Sequence, residues 1–168
     1  MTMTPNTTRG QALATQLEET TDSLIAQIEP CSEAQWRASA PNEDRSVGTM
    51  VHHIAVQAPI VAGWGAQVGN GEIPPVTMEI VHADNAAHAA AHTSPDKAET
   101  LDLLRRNTAV AADILRGLSD AQLEQSVPLP LVGGQPFSAQ MIIEMVLIGH
   151  IQGYPHSHLP NIEAALAG

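Results

Sequence analysis

Four segments of this chain repeat apolar residues at three- and four-residue steps, a period that commits them to helices with one buried face. In the first, Leu13, Leu17, Thr21, Leu24 and Ile28 form a stripe within about Thr8 to Glu29, and Pro30 ends it. The second, "SVGTMVHHIAVQAPIVAGWGAQVGNG", takes Ser46 as N-cap and Gly69-Asn70-Gly71 as its stop. Val47, Val51, Ile54, Ala58, Val61 and Val68 are its core face, and Pro59 inside it predicts a kink. The third opens at Ser94-Pro95 and runs to about Arg116, with Leu101, Leu104, Thr108, Ala111, Leu115 and Leu118 in register and Gly117 as its end. The fourth starts near Ser138 and is apolar nearly all round apart from Glu144, which predicts a deep position.

The connections are uneven. "SEAQW" predicts a helical turn capped by Ser32. "EIPPVTMEIV" reads as an extended linker and "HADNAAHAAAH" as a short helix. "LSDAQLEQSVPLPLVGGQPFS" reads as a connection with one helical turn. The expectation is an all-α four-helix bundle with little or no sheet, a long connection between helices two and three, and a single domain over residues 1–168. Aromatics are few (two Trp, one Tyr, one Phe), so small aliphatic side chains must fill the interior, which suits closely packed helices.

The formal net charge of −11 opposes binding to phosphate backbones and to anionic membranes, so neither nucleic acid nor membrane is an expected partner. The start, "MTMTPNTTRG", lacks the basic and apolar regions of a signal peptide, and Glu144 interrupts the best apolar run. A cytoplasmic location is the expectation. Cys31 is the single cysteine, which excludes an intrachain disulfide and a cysteine-based zinc knuckle.

The eight histidines lie between His52 and His158. At about 100° per residue, His53 joins Gln57, Ile60 and Trp64 beside the core face, while His52 points to the other side with Val56 and Pro59. His53 is thus the one that looks into the bundle, either as a ligand or as a buried imidazole bonded to a carbonyl. His82, His88 and His92 sit in the connection. His88 and His92 are i, i+4, a spacing that binds zinc but is weak evidence in an alanine-rich segment. His150, His156 and His158 crowd "GHIQGYPHSHLPNIEAAL". On a straight helix His150 and His158 stand about 12 Å apart, too far for one ion. Pro155, which removes a donor and clashes with the carbonyl of Ile151, is where that helix would give way.

Several stretches resemble the DinB/YfiT-like metalloenzyme superfamily. "WRASAPNEDRSVGTMVHHIA" resembles its entry to helix two, where a histidine follows a serine by seven residues, as His53 follows Ser46. "VTMEIVHADNAAHA" and "ETLDLLRRNTAVAADILRGLSDAQL" look like an actinobacterial-type branch, whose helix four carries two histidines at i, i+4 in a "GH-L-x-x-I" signature. The chain departs from the branch at His82, where an acidic residue is common, and in the last histidine stretch. Deleting "YPHS" restores the signature, so residues 154–157 read as an insertion between two ligands. In the alternative alignment Tyr154 replaces a ligand histidine and serves as a hydrogen-bond donor in the site. The insertion is favoured. The resemblance then implies metal ligands His53, His150 and His158, with His156 spare.

The resemblance further implies a divalent metal, zinc first and nickel or iron as alternatives. It implies a small-molecule substrate and a low-molecular-weight thiol (mycothiol, bacillithiol or glutathione) in a transferase or isomerase reaction, with Tyr154 a catalytic candidate. The competing expectations are a divergent bundle that keeps its cavity while the metal site is weakened or lost, and a non-catalytic module, such as a homodimer.

Overall fold

The computed structural model describes residues 8–40, 44–152 and 158–167. Its helices start where local chemistry supplies a cap. Thr8 opens α1 (Arg9–Ile28) with a capping box: its hydroxyl accepts from Gln11 N–H and the Gln11 side chain accepts from Thr8 N–H. Ser32 does the same for α2 (Glu33–Arg37) through Gln35. Ser46 caps α3 (Val47–Gly69) by accepting from Thr49 N–H, as its position predicts. Thr77 caps α4 (Met78–Ala91), which begins within the stretch expected to be extended. Asp96 rather than Ser94 caps α5 (Lys97–Arg116), its carboxylate accepting from Glu99 N–H. An anion at a helix N-terminus also meets the positive end of the dipole, which favours Asp96 over the serine two residues earlier.

The connection after α5 holds more than one helical turn. Ser119 caps α6 (Asp120–Glu124), and a two-stranded antiparallel hairpin follows. In it β1 (Ser126–Leu129) pairs with β2 (Gln135–Ser138), Ser126 opposite Ser138 and Leu129 opposite Gln135. The reversal uses Gly133 and Gly134 at φ 70° and 78°, a region open to glycine at little cost. The fourth long helix is a composite. A turn of α7 (Ala139–Met141) leads into a π-helical stretch (Ile142–Ile148) and then into α8 (Gly149–Gln152). It is not buried all round: Met141, Glu144 and Met145 are exposed while Ile142, Ile143, Leu147 and Ile148 face the core. The last helix, α9, covers His158–Ala167.

α3 packs on α5, α5 on α1, and the π-helical stretch on both α1 and α3, so four long helices close a ring around the core. Fully buried Leu17, Leu24, Met50, Leu104, Leu115, Ile143 and Ile148 fill it. Among the described residues no helix is long and apolar enough to cross a membrane.

Pro59 lies inside α3, which runs across it from Val47 to Gly69. Proline has no N–H for the carbonyl four residues back, that of Ala55. The donor comes from the neighbouring helix instead: Asn107 Nδ2 donates to Ala55 O at 2.8 Å. The turn before it bears on the site, because His52 and His53 stand there.

Candidate metal centre

His53 belongs to the inward face of α3 and is 2% exposed, as its periodicity predicts. His150 reaches the same place from α8 and is half-buried. His158, the first residue of α9, completes a trio and is also 2% exposed. α9 is seated by Ile162, buried in the core, and by Gln35, whose Nε2 donates to Leu166 O at 2.9 Å. The ring of His158 lies 4.4 Å from that of His150 and 5.2 Å from that of His53, centroid to centroid. His53 and His150 are 5.9 Å apart on the same measure. One nitrogen from each of the three lies within 4.8 Å of the others. A straight helix through both would separate His150 and His158 by about 12 Å; α8 and α9 are separate helices, and residues 153–157 between them lie outside the described residues. Tyr154, Pro155 and His156 are among them.

The electrostatics favour neutral rings. Burial pushes His158 down to about 2, with the charges of His150, His53 and Arg45 adding to the effect. Burial likewise pushes His53 down to about 3, helped by His150 and His88. A neutral imidazole has a free lone pair, the form that binds a metal. Both ring nitrogens of His158 and Nδ1 of His53 are buried without a hydrogen-bond partner among the described residues. Leaving such atoms unsatisfied costs about 1–3 kcal/mol each. One nitrogen from each of three histidines gathered within 4.8 Å, with unpartnered nitrogens on His53 and His158 among them, is the chemistry a divalent transition metal satisfies, so the residues present fit such an ion.

A cavity of about 350 Å³ opens beside the trio, with His53 and His150 in its wall. Ile54, Val61, Trp64, Val81, Leu131 and Leu147 make it largely apolar, and Gln57, Asp84 and Asn85 add polar points. No Ser, Thr, Cys, Lys or Tyr is among its described lining residues. Cys31 is buried elsewhere, in the turn after α1, and is not part of this wall.

His52 points away from the trio, as expected, but it does not point to solvent. It meets His88 and His92 on α4 and forms a second group of three. The i, i+4 spacing of His88 and His92 was visible in the sequence; their third partner came from the far side of α3 and left no local signal. His82 is exposed on α4 and joins neither group.

A protein-family model described as the DinB superfamily matches residues 16–150. No curated protein and no solved structure compared with the chain gives a significant match. The matched span includes His53 and His150 and stops short of His158.

Proposed function

The chain belongs to the DinB superfamily, and on that premise we propose that His53, His150 and His158 hold a divalent transition metal at which a small thiol is activated against an apolar electrophile. The observation that carries the metal is His158, a buried imidazole with neither nitrogen satisfied among the described residues, in ring contact with two other histidines. Zinc fits three neutral nitrogen donors with room for a fourth ligand; nickel and iron(II) are the alternatives.

The thiol part of the reading is supported by the make-up of the cavity wall. With no Ser, Thr, Cys, Lys or Tyr among its described lining residues, the reading takes the nucleophile from solution. The chemistry an ion supplies there is to keep a thiol deprotonated near neutral pH. The chain's own residues do the rest. Ile54, Val61, Trp64 and Leu147 exclude water and accept an apolar substrate body. Gln57 and Asn85 offer hydrogen bonds to a carbonyl or amide, and Asp84 accepts from a hydroxyl or amine.

The test has two arms. Metal content of the purified chain should fall in His158→Ala. The metal-loaded protein, screened with mycothiol, bacillithiol and glutathione against small electrophiles, should turn over with at least one thiol and lose that turnover in the variant. Metal uptake without thiol chemistry would leave the metal centre and remove the transferase reading. No uptake would point to a bundle that retains a ligand cavity alone.

A further inference from the structure

We propose that His52, His88 and His92 form a second site for a divalent transition-metal ion, distinct from the His53, His150 and His158 centre, and that an ion there fastens α4 to α3. One ring nitrogen from each of the three lies within 4.8 Å of the others. His52 Nδ1 and His88 Nε2 are 2.8 Å apart, the rings of His52 and His92 stack at 4.0 Å, and those of His88 and His92 lie 4.8 Å apart. Nitrogens on one ion stand about 2.0–2.1 Å from it and so at most about 4 Å from each other. Small ring rotations take the trio from its present spacing to that one.

The backbone holds the trio in place without the rings' help. His92 is the C-cap of α4, and its carbonyl accepts from Thr49 Oγ1 at 2.8 Å. Thr49 is 2% exposed and sits one turn before His52 on α3, so this part-buried bond sets the end of α4 against the turn that carries His52. His88 lies one turn back on α4, on the same face as His92. The three rings therefore converge because two helices are pinned at their crossing.

The rest of α4 gives it little reason to stay. None of its residues is fully buried, and Met78 and Ile80 are exposed. Val81 packs against the core at partial burial. Yet Met78, Val81, Asp84 and Asn85 of this helix form one side of the cavity next to the first trio. A helix that closes a cavity while burying so little needs another fastening, and a three-imidazole site at its C-terminal end provides one.

The surroundings suit a cation. A second cavity of about 500 Å³ opens beside His52 and His92 and is bordered by Asp96, Glu99 and Asp102. Asp96 caps α5 and Asp102 pairs with Arg106, whereas Glu99 takes neither role. The opening gives an ion a route in, and solvent is available to complete its shell. His88 Nδ1 is buried with no partner. The His52–His88 contact holds one proton between two nitrogens, and a tautomer shift that moves it to the other nitrogen of the donor ring would leave both lone pairs free for an ion. Three imidazole nitrogen ligands favour zinc, nickel or copper(II) over magnesium or calcium. The two centres share a wall, since His88 and His53 lie 5.3 Å apart between ring centroids, and successive residues of one α3 turn serve both.

The test counts ions. Wild-type chain is saturated with zinc, freed of loosely held metal by desalting, and analysed by mass spectrometry of the element. Two ions per chain are expected in wild type, one in His92→Ala, one in His158→Ala and none in the double variant. His92→Ala leaves the Thr49 bond in place because that bond uses the backbone carbonyl, and circular dichroism checks that the fold persists. Hydrogen exchange supplies a readout independent of stoichiometry. Amides of α4 should gain protection on adding zinc to wild type and to His158→Ala, and should gain none in His92→Ala. Equal zinc content in wild type and His92→Ala, or exchange in α4 unchanged by zinc, would overturn the proposal. Loss confined to His92→Ala would keep it while removing the first centre, and loss confined to His158→Ala would do the reverse.

Discussion

The ring of His158 meets that of His53 edge-on, centroids 5.2 Å apart, at a place where neither nitrogen of His158 has a partner among the described residues. In the absence of metal this contact is a liability. His158→Leu keeps an apolar group of similar size and removes two unsatisfied atoms, so the metal-free variant should be more stable than wild type by about 1–3 kcal/mol. It should also lose the ion held with His53 and His150. Urea denaturation of both metal-free proteins, with metal analysis alongside, checks the pair of outcomes. A less stable variant with metal content intact would show that His158 serves packing instead.

Acid should destabilise the metal-free protein. Folded His53 and His158 are pushed down to about 3 and about 2, whereas an unfolded imidazole takes its proton near 6.5. Below about pH 6.5 the unfolded chain therefore binds more protons than the folded one. Stability contributed by these neutral rings is fully present above about pH 6.5 and declines as pH falls from there toward the folded values. Denaturation midpoints should drop between about pH 7 and about pH 5, and less steeply in His158→Leu. Parallel profiles for the two proteins would contradict the assignment.

Asn107 should matter because Pro59 does. Its amide donates to the Ala55 carbonyl that proline leaves without an intrahelical donor. Asn107→Leu should cost about 1–3 kcal/mol by orphaning that carbonyl. In a Pro59→Ala background the helix supplies its own N–H, and the cost should shrink. A double-mutant cycle measures the difference. Costs that simply add would mean that the bond does not compensate for the proline.

Gly48 permits the close approach of Trp36. A Cβ at position 48 would stand 2.6 Å from Trp36 Cε2. The indole cannot swing aside freely, being 2% exposed and bonded through Nε1 to Pro95 O at 2.8 Å. Alanine gains up to about 1 kcal/mol in helix propensity over glycine, against about 1–3 kcal/mol for forcing extra volume into a packed core. Gly48→Ala should therefore be destabilising on balance, with a blue- or red-shifted Trp36 emission. A stabilised variant would show that the ring yields.

Local chemistry determined much of this protein. The caps at Thr8, Ser32 and Ser46, the stop at Gly69-Asn70-Gly71 and the inward face of His53 all follow from interactions within about four residues, which a sequence displays directly. The same range of interaction failed at α5, where Asp96 outcompeted Ser94 for the cap, at the start of α4, which reaches back into the stretch read as extended, and in the later connection that holds the hairpin. Periodicity showed that His52 turns from the core, and spacing showed that His88 and His92 share a face; it took the packing of α4 across α3 to bring the three together. His158 is the same case at the other centre. Its place beside His150 depends on α9 docking through Ile162 and Gln35, contacts distant in sequence. Helix direction and capping are set by nearby backbone geometry, whereas the meeting of helix faces is set by the sum of many weak contacts across the bundle, and no short stretch of sequence contains that sum.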